Sequence, residues 1–334
     1  MTAVEFLYYL GYTAKKRHSL SKQKRLPRKV ISIGNLTLGG TGKTPAAIAV
    51  AEEAKKRGYR PVILTRGYRG KAKGPCLVSD GSSILLSVEE AGDEPVVMAG
   101  RLKGVPVVKS ADRHEGGLFA MQQPWGDDPD LLFILDDGFQ HWRLSRDIDI
   151  VLVDGQDPFG NRKMLPVGPL RGPLAELKDA DILVITKARN EALALALELH
   201  KINKDASVFF ATHEVADIRK ADGTVAASGL LKGVKVLAFC GIANPASFKK
   251  TLSHLGCGIV ELKQYRDHYR YVREDISGLE EKGKRLGAEF LLTTEKDMVK
   301  IRELKCVPPN LLSIEIGFSI AKSFYNEVFK LLAL

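Results

Sequence analysis

Gly39-Gly40-Thr41-Gly42-Lys43-Thr44 lies between a short apolar run at 30–33 and a helix-like run at 45–57. Glycines let successive backbone N–H groups turn toward phosphate oxygens, and a helix start adds positive potential. In such a loop the lysine, Lys43, reaches the terminal phosphates, and the hydroxyl of Thr44 is placed to bind Mg2+. The strict spacing asks for glycine where Thr37 stands, so Thr37 and Leu38 read as the loop's entry. The alternative is a glycine-rich turn that holds no ligand. The preferred reading is a nucleoside triphosphate site.

The wholly apolar run 131–135 ends in Asp136-Asp137. An apolar strand ending in acid sets a carboxylate beside the metal of such a site. Neighbouring side chains on a continuing strand point apart, so one aspartate faces the metal, and which one stays open. Gln140 and His141 follow in what also reads as a plain turn. Asp93 and Glu94 belong to four carboxylates within 89–94, which composition alone would make a solvated helix start. His268 lies in Tyr265-Arg266-Asp267-His268-Tyr269, where a surface role is the ordinary expectation. Arg66, Arg69, Arg113 and Arg171 stand near strand or loop ends, each a phosphate contact or the partner of a surface acid.

The elements that must position these residues form a βαβ series. Strands are expected at 30–33, 61–64, 105–108, 131–135, 148–153 and 182–185. Helices are expected at 45–57, 88–101 and 112–121, with a Pro/Gly-rich loop at 164–173. The stretch 207–231 reads as short strands and turns. A second series follows, with strands at 234–239 and 290–292 and a helix at 245–255. The fold class is α/β, a phosphate-loop NTPase-like and mostly parallel sheet with flanking helices, plus a second, smaller α/β domain. The expected division is an apolar/basic segment at 1–29, a kinase-like domain at 30–206, a β-rich linker at 207–231 and a smaller domain at 232–334.

The chain has 334 residues, 45% hydrophobic and 27% charged, ample for a sizeable core. Its four cysteines, Cys76, Cys240, Cys257 and Cys306, form no C-x-x-C pair and read as reduced packing residues. The net charge is +10, of which +8 lies between Lys15 and Lys29. The body is nearly balanced, which argues against a nucleic-acid binder. The basic run follows Phe6-Leu7-Tyr8-Tyr9-Leu10, too short to span a bilayer and of the wrong order for a signal peptide. An apolar segment before a polybasic run suits an anionic membrane surface. The alternative is a helix packed on the domain with a solvated basic tail.

Taken in order, GNLTLGGTGKTP, LTRGYRG, EEAGDEP, ADRHEGG, ILDDGFQHWRL, LPVGPLRGPL, AFCGIANPASF, YRDHYRY and TTEKDMVK run from about residue 30 to residue 299. The series resembles the tetraacyldisaccharide 4'-kinase (lipid A 4'-kinase) family of Gram-negative bacteria. The resemblance implies transfer of the γ-phosphate of ATP, with Mg2+, to the 4'-hydroxyl of a tetraacyldisaccharide 1-phosphate, giving lipid IVA. It implies a peripheral enzyme on the cytoplasmic face of the inner membrane, with no nucleic-acid and no protein partner. It also implies that Asp93 and His268 form a base that deprotonates the sugar hydroxyl, brought together from two domains by closure. Lys43 then stabilises phosphates, and Thr44 with Asp136, or Asp137, holds Mg2+. Relatives often carry glutamate before the proline of the PLRGP run. Gly172 stands there instead, so no role for an acid at that position carries over.

A membrane-docked regulatory NTPase is the competing reading. A deviant switch-type loop would carry lysine just before the paired glycines, where Leu38 stands. A GTP-specific switch would carry aspartate after Thr186-Lys187, where the sequence continues Ala188-Arg189.

Overall fold

The computed structural model describes residues 2–187, 192–227 and 229–333. The chain opens with α1 (Ala3–Ser21), capped by the Thr2 side chain and Glu5. The expected βαβ unit follows as β1 (Val30–Asn35), α2 (Lys43–Lys56) and β2 (Arg60–Thr65). Next come β3 (Cys76–Ser79), α3 (Val88–Ala91), α4 (Asp93–Arg101), β4 (Val107–Lys109), α5 (Arg113–Met121), β5 (Leu131–Asp136), β6 (Ile148–Asp154), β7 (Ile182–Thr186) and α6 (Ala192–Ile202). The long β8 (Ser207–Lys220) leads to β9 (Lys235–Cys240), α7 (Pro245–His254), β10 (Gly258–Gln264), α8 (Arg273–Arg285), β11 (Phe290–Thr294), α9 (Glu295–Arg302), β12 (Leu311–Ile320) and α10 (Lys322–Leu332).

All twelve strands join one sheet, in the order β10-β9-β11-β12-β8-β7-β6-β1-β5-β2-β4-β3. Neighbours run parallel except at two places, β3 against β4 and β8 against β12. Successive strand residues face opposite sides, and helices cover both. In β1, Ile31 and Ile33 pack with Ala47, Val50 and Ala51 of α2, while Val30 joins Phe133, Leu26 and Ala120 on the other face. In β9, Val236 and Ala238 pack with Phe248 and Leu252 of α7, while Leu237 and Phe239 meet Ile276, Leu279 and Met298. Burial on both faces is why these strands read as unbroken apolar runs.

Two expectations about elements need correcting. The stretch 207–231 does not begin as short strands. Ser207–Lys220 is one 14-residue strand, because each of its ends has its own partner. Its first residues pair in parallel with β7, and Ala211 to Lys220 pair antiparallel with β12. The helix expected over 88–101 is two helices broken at Gly92, whose φ is 95°. A Cβ there would stand 2.6 Å from the Tyr68 carbonyl oxygen, so the break is built into the packing. It also makes Asp93 the first residue of a new helix. Asp112 is the cap of α5, accepting from the His114 N–H.

The β8–β12 ladder has a geometric consequence. β8 leaves the first set of parallel strands at their C-terminal edge and carries on beyond it. β12 returns antiparallel, with Ile320 opposite Ala211. β11 and β9 run parallel to β12, so their C-terminal ends point back at the first set. The loop-bearing edges of both sets therefore face one another.

Gly34, one residue before the end of β1, lies against the Phe139 backbone, where a Cβ would meet Phe139 N at 2.7 Å. Gly34→Ala is expected to cost about 1–3 kcal/mol as overpacking. Urea denaturation checks this, and a loss below about 0.5 kcal/mol would mean that the Phe139 turn yields freely.

Candidate active site

The phosphate loop is held from below and from both sides. Gly42 caps α2 in the left-handed region, with φ 89°, and Gly39 has φ 117°. Asn35 at the end of β1 accepts from Lys43 Nζ at 3.0 Å and donates to the Thr37 carbonyl at 2.8 Å. Lys187, just past β7, donates to the Gly40 carbonyl at 3.0 Å and pairs with Asp154. Thr37 is buried, bridges Leu170 and has no left-handed φ, so nothing there requires glycine. Leu38 is exposed, its N–H donating to the Pro169 carbonyl, while Arg171 N–H donates to the Leu36 carbonyl. The Pro/Gly-rich loop is thus laid along the entry of the phosphate loop. Thr41 and Thr44 are buried at its base.

β5 ends at Asp136, and Asp137 turns off the strand with φ 53°. The two carboxylates consequently have different surroundings. Asp137 pairs with Arg171 at 2.9 Å and with Lys43 at 3.7 Å. Burial opposes its ionisation, but Lys43 and Arg171 outweigh that and hold its carboxyl below the usual range. Asp136 has only the Thr65 hydroxyl on one oxygen, at 3.5 Å, and a buried second oxygen without a partner. Burial, with Glu94 and Asp137 adding to it, pushes its carboxyl up to about 7. A buried carboxylate that lacks a cation suits Mg2+, which takes one or two protein carboxylates and fills its remaining positions with phosphate and water. Among the described residues no group of three or more His, Cys, Asp or Glu could enclose a metal by itself.

Where the two edges meet, His268 Nδ1 is 2.8 Å from Asp93 Oδ2. Asp93 opens α4, and His268 sits in the turn after β10 with φ 56°, a strained conformation for a non-glycine residue. Its N–H donates to the Gly241 carbonyl at 3.0 Å, and Arg69 donates to the neighbouring Asp267 carbonyl at 3.3 Å. The hydrogen bond that the imidazole donates to Asp93 raises its pKa above its ordinary 6.5, against a smaller effect of burial. Asp93 is buried, which disfavours its charge, yet the His268 bond and the Lys296 charge hold it below the usual carboxylate range. A carboxylate–imidazole pair of this kind can take a proton from a hydroxyl.

The remaining candidates are placed as follows. Arg113 is buried beside Asp137, Arg66 and Asp136, its Nε lacks a partner, and burial brings its guanidinium down to about 10. His141 accepts the Arg113 N–H at 3.3 Å and is driven down to about 4 by burial, so it is a neutral support of the α5 start. Gln140 lies toward Tyr12 of α1, with its amide nitrogen buried and unpartnered. Sequence reasoning passed over Asn35, Lys187 and Lys296. Asn35 directly precedes the loop and had a positional signal. Lys187 had none, and Lys296 stood in the TTEKDMVK block with no role of its own, because their partners lie 147 and 202 residues away.

The chain as a whole is similar to known proteins. The family model described as tetraacyldisaccharide-1-P 4'-kinase matches residues 1–333. The tetraacyldisaccharide 4'-kinase of Syntrophus aciditrophicus is 41% identical over 327 residues, covering 94% of this chain and 86% of the relative. That of Geobacter sulfurreducens is 41% identical over 283 residues, covering 84% and 77%. Among solved structures, the "apo" form LpxK of Aquifex aeolicus in complex with ATP superposes with a TM-score of 0.78 at 32% identity, covering 98% of this chain and 97% of that one. The chain belongs to the tetraacyldisaccharide-1-P 4'-kinase family and is a phosphotransferase acting on a hydroxyl group.

Proposed function

We propose that this kinase uses the Asp93–His268 pair as the base that readies the 4'-hydroxyl of a tetraacyldisaccharide 1-phosphate for attack on the γ-phosphorus of ATP. The observation that carries this reading is the 2.8 Å contact between a residue of each edge. As the new P–O bond forms, the bond from γ-phosphorus to the bridging oxygen breaks, the hydroxyl proton passes to the pair and ADP leaves. Lys43 and the loop's N–H groups hold the phosphates. Thr44 and Asp136 would hold Mg2+, with Asp137 kept on Lys43 and Arg171. When bound, the ion neutralises charge on the β- and γ-oxygens. Residues 30–206 and 232–334 are the two proposed domains, with β8 crossing between them.

The same reading places the enzyme against the cytoplasmic face of the inner membrane through α1. No helix among the described residues is long and apolar enough to cross a membrane. One face of α1 is packed: Tyr8 donates to the Arg171 carbonyl at 2.9 Å, Tyr12 meets Trp142 edge-on, and Glu5 accepts the Met164 N–H. The other exposes Val4, Phe6, Leu7 and Leu10. Much of the basic run is already used. Lys16 pairs with Glu176 and Asp179, Lys24 with Glu115, and Arg25 and Lys29 with Asp147. Lys15, Arg17 and Lys22 form no ion pair among the described residues and are the ones left for anionic headgroups.

Label from γ-labelled ATP should appear in the disaccharide lipid; a folded enzyme that leaves the lipid unlabelled would remove this reading. Asp93→Ala and His268→Ala should each lower kcat by about 10²–10⁴. Unchanged rates would dismiss the pair as the base. Because Asp93 favours the protonated imidazole, the base is lost as pH falls through a raised pKa. The acid limb of kcat/KM should therefore lie above pH 6.5 and move down in Asp93→Asn. A limb that stays put would separate the titration from this pair. Leu7→Glu with Leu10→Glu should weaken binding to anionic vesicles at least about tenfold without lowering the melting temperature, since each buried leucine contributes about 1.5–3 kcal/mol. Retained binding would place the membrane contact elsewhere.

A further inference from the structure

Lys296 is the second residue of α9, and the strand directions on its side of the sheet aim that helix start at the cleft. Its two neighbours are pinned. Glu295 meets Arg101, at the far end of the helix that Asp93 begins, at 3.5 Å. Asp297 is fully buried, accepts the Gly241 N–H at 3.0 Å and the Thr294 hydroxyl at 2.8 Å, and pairs with Lys300. Gly241 in turn holds the His268 N–H through its carbonyl. The first turn of α9 is thus a clip with one arm on the Asp93 helix and the other on the His268 turn. Its position is set before any ligand arrives.

Between those arms, Lys296 Nζ is 2.6 Å from Glu94 Oε1, and Glu94 is the residue next to Asp93. This is the one hydrogen bond that Lys296 donates among the described residues, and an ammonium group has three protons to give. Its side chain remains 35% exposed. The charges of Glu94, Asp93 and Asp136 all favour its protonated form, against its burial. The ammonium therefore lies within the field of both the base and the buried carboxylate that ends β5. On the kinase reading given above, the hydroxyl lies at the first of these groups and the terminal phosphate beside Lys43, which puts Lys296 on the side of the transfer opposite the phosphate loop.

We propose that Lys296 is a second phosphate-binding cation of the site, supplied from the C-terminal half, which donates to the phosphoryl group as it moves from ATP to the sugar. The role rests on the kinase reading given above. In phosphoryl transfer the charge is spread over three equatorial oxygens, and positioned cations account for much of the rate. A cation on each edge would contact more of those oxygens than Lys43 alone. It would also make transfer depend on both edges being in register.

The test is label transfer from ATP to the tetraacyldisaccharide 1-phosphate by the full chain, with kcat and both KM values. Lys296→Met should lower kcat about 10²–10³-fold and leave KM for ATP within about threefold. In Lys296→Ala, added methylammonium should recover about tenfold of the lost kcat while leaving the wild-type rate unchanged; a purely structural clip would not respond to a free amine. Should the methionine variant not fold, Lys296→Gln, which keeps a hydrogen bond to Glu94, is read by the same criteria. A kcat within threefold of wild type, or a loss that amine does not recover, overturns the role while the kinase reading stands. No transfer by the wild-type chain removes both.

Discussion

The antiparallel ladder between β8 and β12 reverses the second set of parallel strands. A doubly wound sheet presents its loops, and so its ligands, at the C-terminal ends of its strands. Had β12 continued in the direction of β8, the turns after β9 and β11 would lie at the far end of the molecule. Reversed, they face the phosphate loop, and His268 reaches Asp93 at 2.8 Å. The long shared strand also keeps the two edges within one hydrogen-bonded sheet. The meeting of His268 with Asp93 thus follows from backbone pairing, with the side-chain contacts refining it.

Within the cleft, charge decides the part each acid can play. Asp137 is satisfied by Arg171 and Lys43 and stays ionised. Asp136 lies close by but has no such partner, and burial raises its pKa. Asp93 is buried like Asp136 and is kept ionised by His268 and Lys296. Three carboxylates therefore differ by what faces them, which is the basis for the separate parts proposed for them.

α1 is tied to the same machinery. Tyr8 holds the carbonyl of Arg171, whose guanidinium holds Asp137. Tyr12 fills the space beside Gly172, where a Cβ would stand 2.4 Å from its hydroxyl oxygen. Gly172 is thus matched by an aromatic ring from the N-terminal helix. The segment read from sequence as either an anchor or a packed helix is packed on one face and exposes apolar residues on the other. Its basic run is spent in large part on Glu176, Asp179, Glu115 and Asp147.

By itself the sequence determined the local parts. The Gly39–Thr44 loop, the apolar strand before Asp136 and the helix after the loop are legible because hydrogen bonding, glycine conformation and two-sided burial act within a few residues. The family followed from the order of such blocks. The tertiary structure decided what depends on distant pairing. It made 207–220 one strand, because β7 and β12 claim its two ends. It broke the helix at Gly92, because the Tyr68 carbonyl occupies the space of a side chain. It turned Asp137 away from Asp136, and it set Lys296 against Glu94, 202 residues away. Neither composition nor spacing encodes such contacts, since their energy comes from charges and surfaces that meet only after the sheet has formed.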